Sequence, residues 1–449
     1  MPAVFVLLLA IFGCREASSE APRPDVVLLT VAGWNWTPDL AGDPNVARLL
    51  DESARFDVAV ASSLEGISQQ AVVFSALSPH VRGAAPGFAG LRRDRRTLAE
   101  SLKAAGFRTL AFAPSAPAPG LDQGFDRWNE VSPGNAEIAE LVGEAFDEDA
   151  RPLFAYLHLA GAGALPPLLE ALAASERGRR AHLVVTATLA PSPQAARWTD
   201  SSLRIPLLVR PADRQGAGER FETPSQAIDI APTLLSLAGA QPLPATLGRS
   251  LIPVLRAKPR TAEWVAVSES TAAADPWIAV RGDHWKIVAS LADGSVEALY
   301  DLAQDPAEGD NLATRDPGLL QRATAHLEGA RRRLAETRGR HARASLPSTP
   351  DVKGPIWAIP NPIERCWGAD DAASGSTVVH WDAGDRRGTT QIRIGGPRGQ
   401  VMATGHMQGS QPTGSWVRDG TVLSLVEVGS EREIGRTQVR IHQMPCARD

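Results

Sequence analysis

The feature that most constrains the fold is an unbroken apolar run near the start of the chain, Val26–Val31 (VVLLTV). The run is rich in β-branched residues and lacks polar alternation, which predicts a strand covered on both faces. Further strand patterns follow at Phe107–Ala113, Leu153–His158, His182–Thr186 and Ile205–Val209, with helical stretches between them. This alternation is typical of a mostly parallel sheet sandwiched by helices, so the sequence predicts an α/β fold.

Capping residues mark the start of two of these helices. Asp43 can accept hydrogen bonds from free N–H groups, and Pro44 suits a first helical turn because its missing N–H has no partner there. Thr97 and Glu100 have the spacing of a capping box, and Gly106 is placed to end that helix. Both helices lie between strand patterns, as an α/β fold requires.

The first 14 residues resemble a bacterial lipoprotein signal peptide. Ala3–Phe12 is an uninterrupted apolar run, too short to span a bilayer comfortably, and it ends in Gly13-Cys14. A small residue followed by Cys resembles the lipobox, in which Cys14 becomes the lipidated N-terminus and residues 15–24 form a tether. The sequence therefore predicts a lipoprotein anchored to a membrane of the bacterial cell envelope and facing the periplasm or the exterior. An ordinary cleaved signal peptide and an uncleaved anchor are the alternatives.

The texture of the sequence changes after a Pro-containing linker at residues 341–355. Short alternating strand patterns, among them Gly414–Val417 and Thr437–His442, fill residues 356–449. They predict an all-β sandwich, and they resemble the Ig-like or fibronectin-like modules appended to many bacterial proteins. Such modules usually act as spacers, present another domain, or bind a ligand.

The remaining two cysteines flank this C-terminal region. Cys366 lies near its first strand and Cys446 follows its last. Export would permit a disulfide between them, and two free buried thiols are the alternative.

A series of short segments follows in a specific order between residues 25 and 340. These segments are residues 25–31, 43–56, 76–84, 97–112, 120–128, 202–212, 228–239, 248–255 and 285–313. Each segment alone is common, but in order and spacing together they resemble the landmarks of the sulfatase branch of the alkaline-phosphatase superfamily. The resemblance implies a sulfatase-like α/β domain over residues 25–340.

Sulfatases are understood to hold a divalent cation, usually Ca²⁺, beyond the carboxyl ends of the strands, where open α/β sheets bind ligands. A Ca²⁺ site needs several oxygen ligands, most of them from carboxylates and carbonyls. The family's first acidic ligands directly follow strand one, where this chain has Ala32 and Gly33. The second acidic pair follows a later strand, where this chain has Thr188 and Leu189. The comparison predicts that the family's Ca²⁺ is lost and that no cofactor is bound.

The positions of the family's catalytic groups have also changed. The nucleophile, an oxidised Cys or Ser in sulfatases, falls on Gly66, and Gln70 replaces an Arg that would neutralise negative charge. The family's D-P-H segment appears as Gly161-Ala162-Gly163, and its Lys and His motif as Ala113-Pro114-Ser115. Since one preorganised charged group is often worth ~10²–10³ in rate, these losses together predict an inactive enzyme.

Four residues could line a residual pocket at this edge of the sheet: Trp34, Trp36, Glu65 and Ser68. The two indoles stand where active members hold metal, so they could stack against a sugar ring or fill the vacated space with apolar bulk. Glu65 and Ser68 lie near Gly66, the position of the family's nucleophile, and could belong to a rebuilt site. The alternative is that this polar segment forms an ordinary turn.

These observations predict an exported pseudoenzyme that binds a glycan or an envelope protein, or acts as a scaffold. The alternative is a divergent hydrolase of sulfate or phosphate esters. The net charge of −5 argues against a nucleic-acid partner, which would favour a basic face. The basic run Ala330–Ser345 is interpreted as a solvated helix face, with an anionic-lipid or nucleic-acid site as the alternative.

Overall fold

The structure is a computed structural model that describes residues 23–34, 42–63, 66–82, 90–93, 95–131, 135–188, 198–256, 263–270, 276–345, 355–359, 361, 363–367, 374–384 and 388–445. The predicted signal peptide with Cys14, and most of the predicted tether, lie outside these residues. Within the described parts of the chain, no helix combines the length and apolar character needed to cross a bilayer.

The main sheet is built around β1 (Val26–Val31), the apolar run that opens the domain. All six of its residues are buried, and because successive side chains point to opposite faces, both faces are covered. Its other strands are β2 (Ala54–Phe56), β4 (Arg108–Ala113), β5 (Arg127–Glu130), β6 (Leu153–Leu159), β7 (His182–Ala187), β8 (Leu207–Arg210) and β9 (Arg220–Phe221). Within the described residues, the order of these eight strands is β5-β4-β6-β1-β7-β8-β2-β9, and only β8 is antiparallel to its neighbours.

Two groups of helices pack around this sheet. The helices of this domain are α1 (Pro44–Glu52), α2 (Gly66–Ser75), α3 (Pro79–Arg82), α4 (Leu98–Ala104), α5 (Asn135–Asp147), α6 (Leu165–Ala174), α7 (Glu176–Arg180), α8 (Asp200–Leu203), α9 (Ile230–Leu237), α10 (Ile252–Leu255) and α11 (Pro317–Ser345). The first group joins α2, α4 and α9, and the second joins α1, α5 and α6. The predicted α/β fold with helices around a mostly parallel sheet is confirmed.

Both predicted helix starts are present. The Asp43 side chain accepts from the N–H groups of Asn45 and Val46, and Pro44 is the first residue of α1. Thr97 and Glu100 form the reciprocal capping box of α4. Gly106 follows this helix with a φ of +92°, a conformation that glycine adopts at little cost.

A second, antiparallel sheet follows the main one along the chain. Its four strands are β11 (Ala266–Ser270), β12 (Trp277–Arg281), β13 (Trp285–Ser290) and β14 (Val296–Asp301), paired in chain order. The long helix α11 packs against β12 and β13. It begins at Pro317 and ends at Ser345, so it runs past residue 340, where the sequence analysis places the end of the domain. A short parallel pair, β3 (Ala59–Val60) and β10 (Ser225–Gln226), lies beside the main sheet.

The C-terminal region is a separate all-β unit. Side chains from its three-stranded and four-stranded sheets, such as Val379 and Leu425, share one core. Its strands are β15 (Ile356–Ile359), β16 (Ile363–Trp367), β17 (Ser374–Gly375), β18 (Val378–Asp382), β19 (Thr390–Ile394), β20 (Gln400–Gly405), β21 (Gln408–Pro412), β22 (Val417–Arg418), β23 (Val422–Glu427), β24 (Arg432–Gln438) and β25 (Ile441–Pro445).

Two strand predictions in this region were wrong. The strand expected at Gly414–Val417 is reduced to the two residues of β22, because Gly414 takes a φ of +73° that interrupts extended backbone. The strand expected at Thr437–His442 is divided between β24 and β25, since the Val439 N–H donates to Thr421 outside either strand. The Cys366–Cys446 disulfide and the Ig-like type of the unit stay predictions, because Cys446 and the side chain of Cys366 lie outside the described residues.

Candidate functional site

The candidate site lies at the carboxyl edge of the main sheet, where parallel strands β1, β6 and β7 end side by side. Ala32, after β1, donates its N–H to the carbonyl oxygen of Leu159 at 2.9 Å, and Thr188, after β7, donates to that of Val31 at 3.2 Å. Since open α/β sheets bind ligands at this edge, it is the place to test for a metal.

The side chains at these strand ends do not fit a calcium site. Gly33 is exposed, Gly163 is exposed after β6, and Thr188 is 3% exposed after β7. None of the described residues directly following these strands carries a carboxylate, whereas Ca²⁺ needs six to eight oxygen ligands. Within the described parts of the chain, no group of three or more His, Cys, Asp or Glu residues is placed to hold a metal ion. Leu189 and Glu65 lie outside these parts.

Under this edge, three polar side chains from β1 and β6 form a hydrogen-bonded group. Thr30 is paired in register with His158, and Tyr156 lies two residues earlier on β6, so all three point to one face of the sheet. The Thr30 hydroxyl oxygen lies 2.9 Å from Nδ1 of His158 and 3.1 Å from the hydroxyl oxygen of Tyr156. The rings of Tyr156 and His158 are stacked, with centroids 6.4 Å apart.

Gln70 of α2 completes this group, which we name the strand-end cluster (Thr30, Gln70, Tyr156 and His158). The Gln70 side chain hydrogen-bonds to the hydroxyl of Tyr156. Phe74, four residues further along α2, packs edge-on against the Tyr156 ring with centroids 4.7 Å apart, which fixes the helix on this face. Gln70 is therefore bound to a buried, neutral phenol.

The strand-end cluster carries no charge at neutral pH. Burial lowers the pKa of His158 to about 4, against a smaller opposite effect of its hydrogen bond with Thr30. Burial also raises the pKa of Tyr156 above its ordinary value, against the smaller effects of its hydrogen bonds to Thr30 and Gln70. Imidazole, phenol, hydroxyl and amide are all uncharged in this state. The group therefore lacks the positive charge that would attract a sulfate anion.

Comparisons with known proteins identify relatives of this chain. A family model described as the C-terminal part of N-sulphoglucosamine sulphohydrolase matches residues 196–332. The choline-sulfatase of Rhizobium meliloti (strain 1021) is 34% identical over 128 residues, which are 28% of this chain and 24% of that protein. This chain thus covers about a quarter of the length of that relative.

Solved structures match over a larger part of the chain. The phosphonate monoester hydrolase of Agrobacterium radiobacter has a TM-score of 0.56 at 16% identity, covering 70% of this chain and 96% of that one. A putative sulfatase from Bacteroides thetaiotaomicron VPI-5482 has a TM-score of 0.55 at 15% identity, covering 70% of this chain and 93% of that one. The chain has the alkaline-phosphatase-like fold of the sulfatase family.

The family-model match covers one part of the sulfatase-like domain and leaves out another. Residues 196–332 include the antiparallel sheet and most of α11. All four residues of the strand-end cluster precede residue 196. The matched part therefore does not include the strand-end cluster.

The predicted residual pocket is only partly within the described residues. Trp34 is 2% exposed and belongs to the main hydrophobic core, so it fills space and offers no free face to a sugar. Ser68 lies in the first turn of α2, which begins at Gly66. The side chain of Ser68 and the whole of Trp36 and Glu65 lie outside the described residues.

Tyr156 and Thr30 did not emerge from the sequence as site residues. Both lie inside buried strands whose apolar character dominates the local pattern. The signal that could have found them is the presence of a hydroxyl on each of two apolar strands, at positions that share a face in a parallel pair.

Proposed function

We propose that this chain is a catalytically inactive sulfatase-like protein that acts by binding at the bacterial cell envelope. The observation that carries the proposal is the neutral strand-end cluster. At the edge where sulfatases need metal and charge, this chain has Thr30, Tyr156 and His158 hydrogen-bonded to one another, with Gln70 in place of an Arg.

The physical argument rests on what ester cleavage requires. Transfer of a sulfate or phosphate group develops negative charge that must be stabilised by a metal ion or by preorganised donors in a site shielded from water. At the described strand ends the candidates are Ala32, Gly33, Gly163 and Thr188, which supply neither a carboxylate for a metal nor a cation for the ester. On this basis we propose that the protein binds no Ca²⁺.

The alternative is a divergent sulfate or phosphate ester hydrolase with a rebuilt site. Ser62 and Ser63, near the former nucleophile, are each 1% exposed and therefore closed to a substrate. Glu65 and Ser68 remain the residues on which such a site would depend.

Metal content and ester hydrolysis separate these two functions. We expect the purified protein to contain less than stoichiometric Ca²⁺, Zn²⁺ and Mn²⁺ by mass spectrometry, and to hydrolyse neither aryl sulfates nor aryl phosphates with these ions added. An active sulfatase serves as the positive control. Stoichiometric metal, or turnover that Ser68→Ala abolishes and Ser62→Ala leaves unchanged, would establish the rebuilt hydrolase.

The proposed ligand is a glycan or an envelope protein. Because the matching family model is that of N-sulphoglucosamine sulphohydrolase, sulfated amino sugars are the first glycans to test. A glycan array probed with the purified protein is expected to show binding; binding to no glycan, with a protein co-purifying from envelopes, would favour the envelope-protein ligand. If neither is found, a scaffold role is favoured.

We also propose that Cys14 is lipidated and anchors the protein to a membrane. The basis is the apolar run Ala3–Phe12 followed by Gly13-Cys14. Metabolic labelling with a fatty acid is expected to mark the wild-type chain and not Cys14→Ser. Equal labelling of both, or recovery of both in the soluble fraction, would contradict the anchor.

A further inference from the structure

A cleft lies at the amino edge of the main sheet, opposite the strand-end cluster. It has a volume of about 70 Å³ and lies between α1 and α6, with Arg210 in its lining. Arg210 ends β8 and pairs antiparallel with Leu183, the second residue of β7, which places it at the amino ends of the parallel strands. The cleft is therefore separate from the edge where the sulfatase fold carries its chemistry.

Positive charge dominates the lining of this cleft. Its charged residues are Arg48, Arg179, Arg210 and Glu52, so three guanidinium groups face one carboxylate. Apolar side chains of α1 and α6, such as Leu172, complete the lining. An apolar wall lowers the local dielectric and strengthens the attraction of the guanidinium groups for an anion.

Arg210 is the buried centre of this charge. The residue is 7% exposed; Nη1 lies 3.2 Å from Oε2 of Glu52, and Nη2 donates to the carbonyl oxygen of Gly178 at 2.9 Å. Its Nε is buried and has no hydrogen-bond partner among the described residues. A buried guanidinium N–H without an acceptor is costly, so the charge of Arg210 is only partly compensated by its two contacts.

Glu52, the one carboxylate in the lining, does not neutralise the positive charge of the cleft, because it also pairs with Arg214. Nη2 of Arg214 lies 3.2 Å from the same Oε2 of Glu52 that Arg210 contacts. Burial, followed by the nearby charge of Arg214, lowers the pKa of Arg210 to about 10, which is the direction expected of a cation among cations.

The other two arginines can reach a ligand without breaking the fold. Arg48 is exposed on α1 and donates through Nη2 to Oδ1 of Asn45 at 2.9 Å. Arg179 donates through Nη1 to the carbonyl oxygen of Ala173 at 2.7 Å, at the end of α6. Each planar guanidinium has further N–H groups with which to bind an oxyanion in the bidentate manner.

We propose that this cleft binds the oxyanion group of a small molecule: a sulfate, a phosphate or a carboxylate. Arg210 supplies buried positive charge, and Arg48 and Arg179 offer exposed guanidinium N–H groups to the anion from α1 and α7. The proposal does not depend on whether the opposite edge of the sheet is catalytic.

Titration of the full-length protein tests the site. Sodium sulfate, phosphate or acetate is added at an ionic strength held constant with sodium chloride, and heat of binding and melting temperature are recorded. We expect saturable binding of at least one of the three anions, and Arg48→Gln to weaken it by about tenfold or more, since it removes charge-assisted hydrogen bonds. Preference for sulfate or phosphate over acetate identifies a tetrahedral anion, and the reverse a carboxylate.

The matched control is Arg322→Gln, which removes an exposed arginine from α11, outside the cleft. It is expected to leave the binding unchanged, and the melting temperatures without anion show that both variants fold. The proposal is overturned if none of the three anions binds saturably, or if Arg322→Gln weakens binding as much as Arg48→Gln.

Discussion

At the scale of single residues, the strand-end cluster shows how polar groups are kept in a buried sheet. Thr30 is 1% exposed on a strand that is otherwise apolar, and its hydroxyl oxygen contacts both Tyr156 and His158. A buried polar group costs the fold little stability while it is hydrogen-bonded. When its hydrogen-bond partner is removed, the same group becomes destabilising.

Thr30→Val tests this dependence. The change keeps the shape of the side chain and removes its hydroxyl, so His158 and Tyr156 each lose a partner. We expect the free energy of unfolding to fall by about 1–3 kcal/mol in denaturant titrations. Thr30→Ser keeps the hydroxyl and serves as the control; an equal loss in both variants would place the effect in packing.

A second residue-scale prediction concerns pH. The unfolded chain protonates His158 near pH 6.5, but the folded chain does so only near pH 4. Between these values the unfolded state binds more protons, so stability is full above pH 6.5 and is lost as pH falls to 4, by up to roughly 3 kcal/mol. Asp229, whose pKa is raised by burial to about 6, acts in the opposite direction as pH falls below that value.

His158→Gln isolates the contribution of His158, because Asp229 and His182, whose pKa burial also lowers to about 4, are present in both proteins. We expect stability to fall less steeply between pH 6.5 and 4 in this variant than in the wild type, measured by denaturant titration at a series of pH values. His284→Gln, at an exposed histidine, is the control and should keep the wild-type slope. Equal slopes for His158→Gln and wild type would contradict the buried, neutral state.

At the scale of secondary-structure elements, landmarks distant in sequence meet through specific contacts. Asp229 accepts from the N–H of Arg249 at 2.9 Å, and Thr233 of α9 accepts from that of Leu251 at 2.9 Å. Gly248 makes this approach feasible, since a Cβ there would lie 1.9 Å from the carbonyl oxygen of Ile228. The two sequence landmarks at 228–239 and 248–255 are thus one structural unit.

A buried ion network joins the antiparallel sheet to α8. Lys286 of β13 is 1% exposed and pairs with Glu308 and, at 3.3 Å, with Asp200. Arg281 of β12 binds the other oxygen of Asp200 at 3.0 Å. Removing these charged groups from water makes the network cost free energy to form. A buried charge that has lost its partner destabilises the fold even more.

Lys286→Met is expected to reduce the free energy of unfolding by about 3–5 kcal/mol, because it leaves buried carboxylates without their cation. Lys103→Met, which removes the exposed Lys103–Asp126 pair, is the matched control and should cost less than about 1 kcal/mol. Combining Lys286→Met with Glu308→Gln should cost less than the sum of the single changes. Additive losses would show that the two side chains are not coupled.

At the scale of the whole molecule, the C-terminal β unit has a hydrophobic core of its own. Within the described residues, this core draws only on positions from Ile356 onward, and the cores of the sulfatase-like domain only on positions up to Leu334. A unit that buries its own apolar surface can fold independently.

Separate expression tests this independence. Residues 355–449 are expected to give a cooperative thermal transition and a β-type circular dichroism spectrum on their own. Removal of residues 346–449 is expected to leave the melting temperature of the sulfatase-like domain unchanged. An unfolded 355–449 fragment, or a large drop in that melting temperature, would show that the two parts depend on each other.

The sequence by itself determined the order of strands and helices in the sulfatase-like domain. The run Val26–Val31 specified a strand buried on both faces, and the capping residues at Asp43 and Thr97 located two helix starts. These features are local: they depend on side chains within one element and on the backbone groups at its end. The absence of carboxylates at Ala32, Gly33 and Thr188, directly after β1 and β7, was visible for the same reason.

Only the tertiary structure decided what occupies the two edges of the sheet. The hydroxyl contact between Thr30 and Tyr156 joins residues 126 positions apart, and Gln70 reaches it from a third segment. The arginines of the amino-edge cleft likewise come from α1, α7 and β8. Such groups are invisible to local patterns, because the sheet order and the helix packing that bring them together depend on contacts between distant parts of the chain.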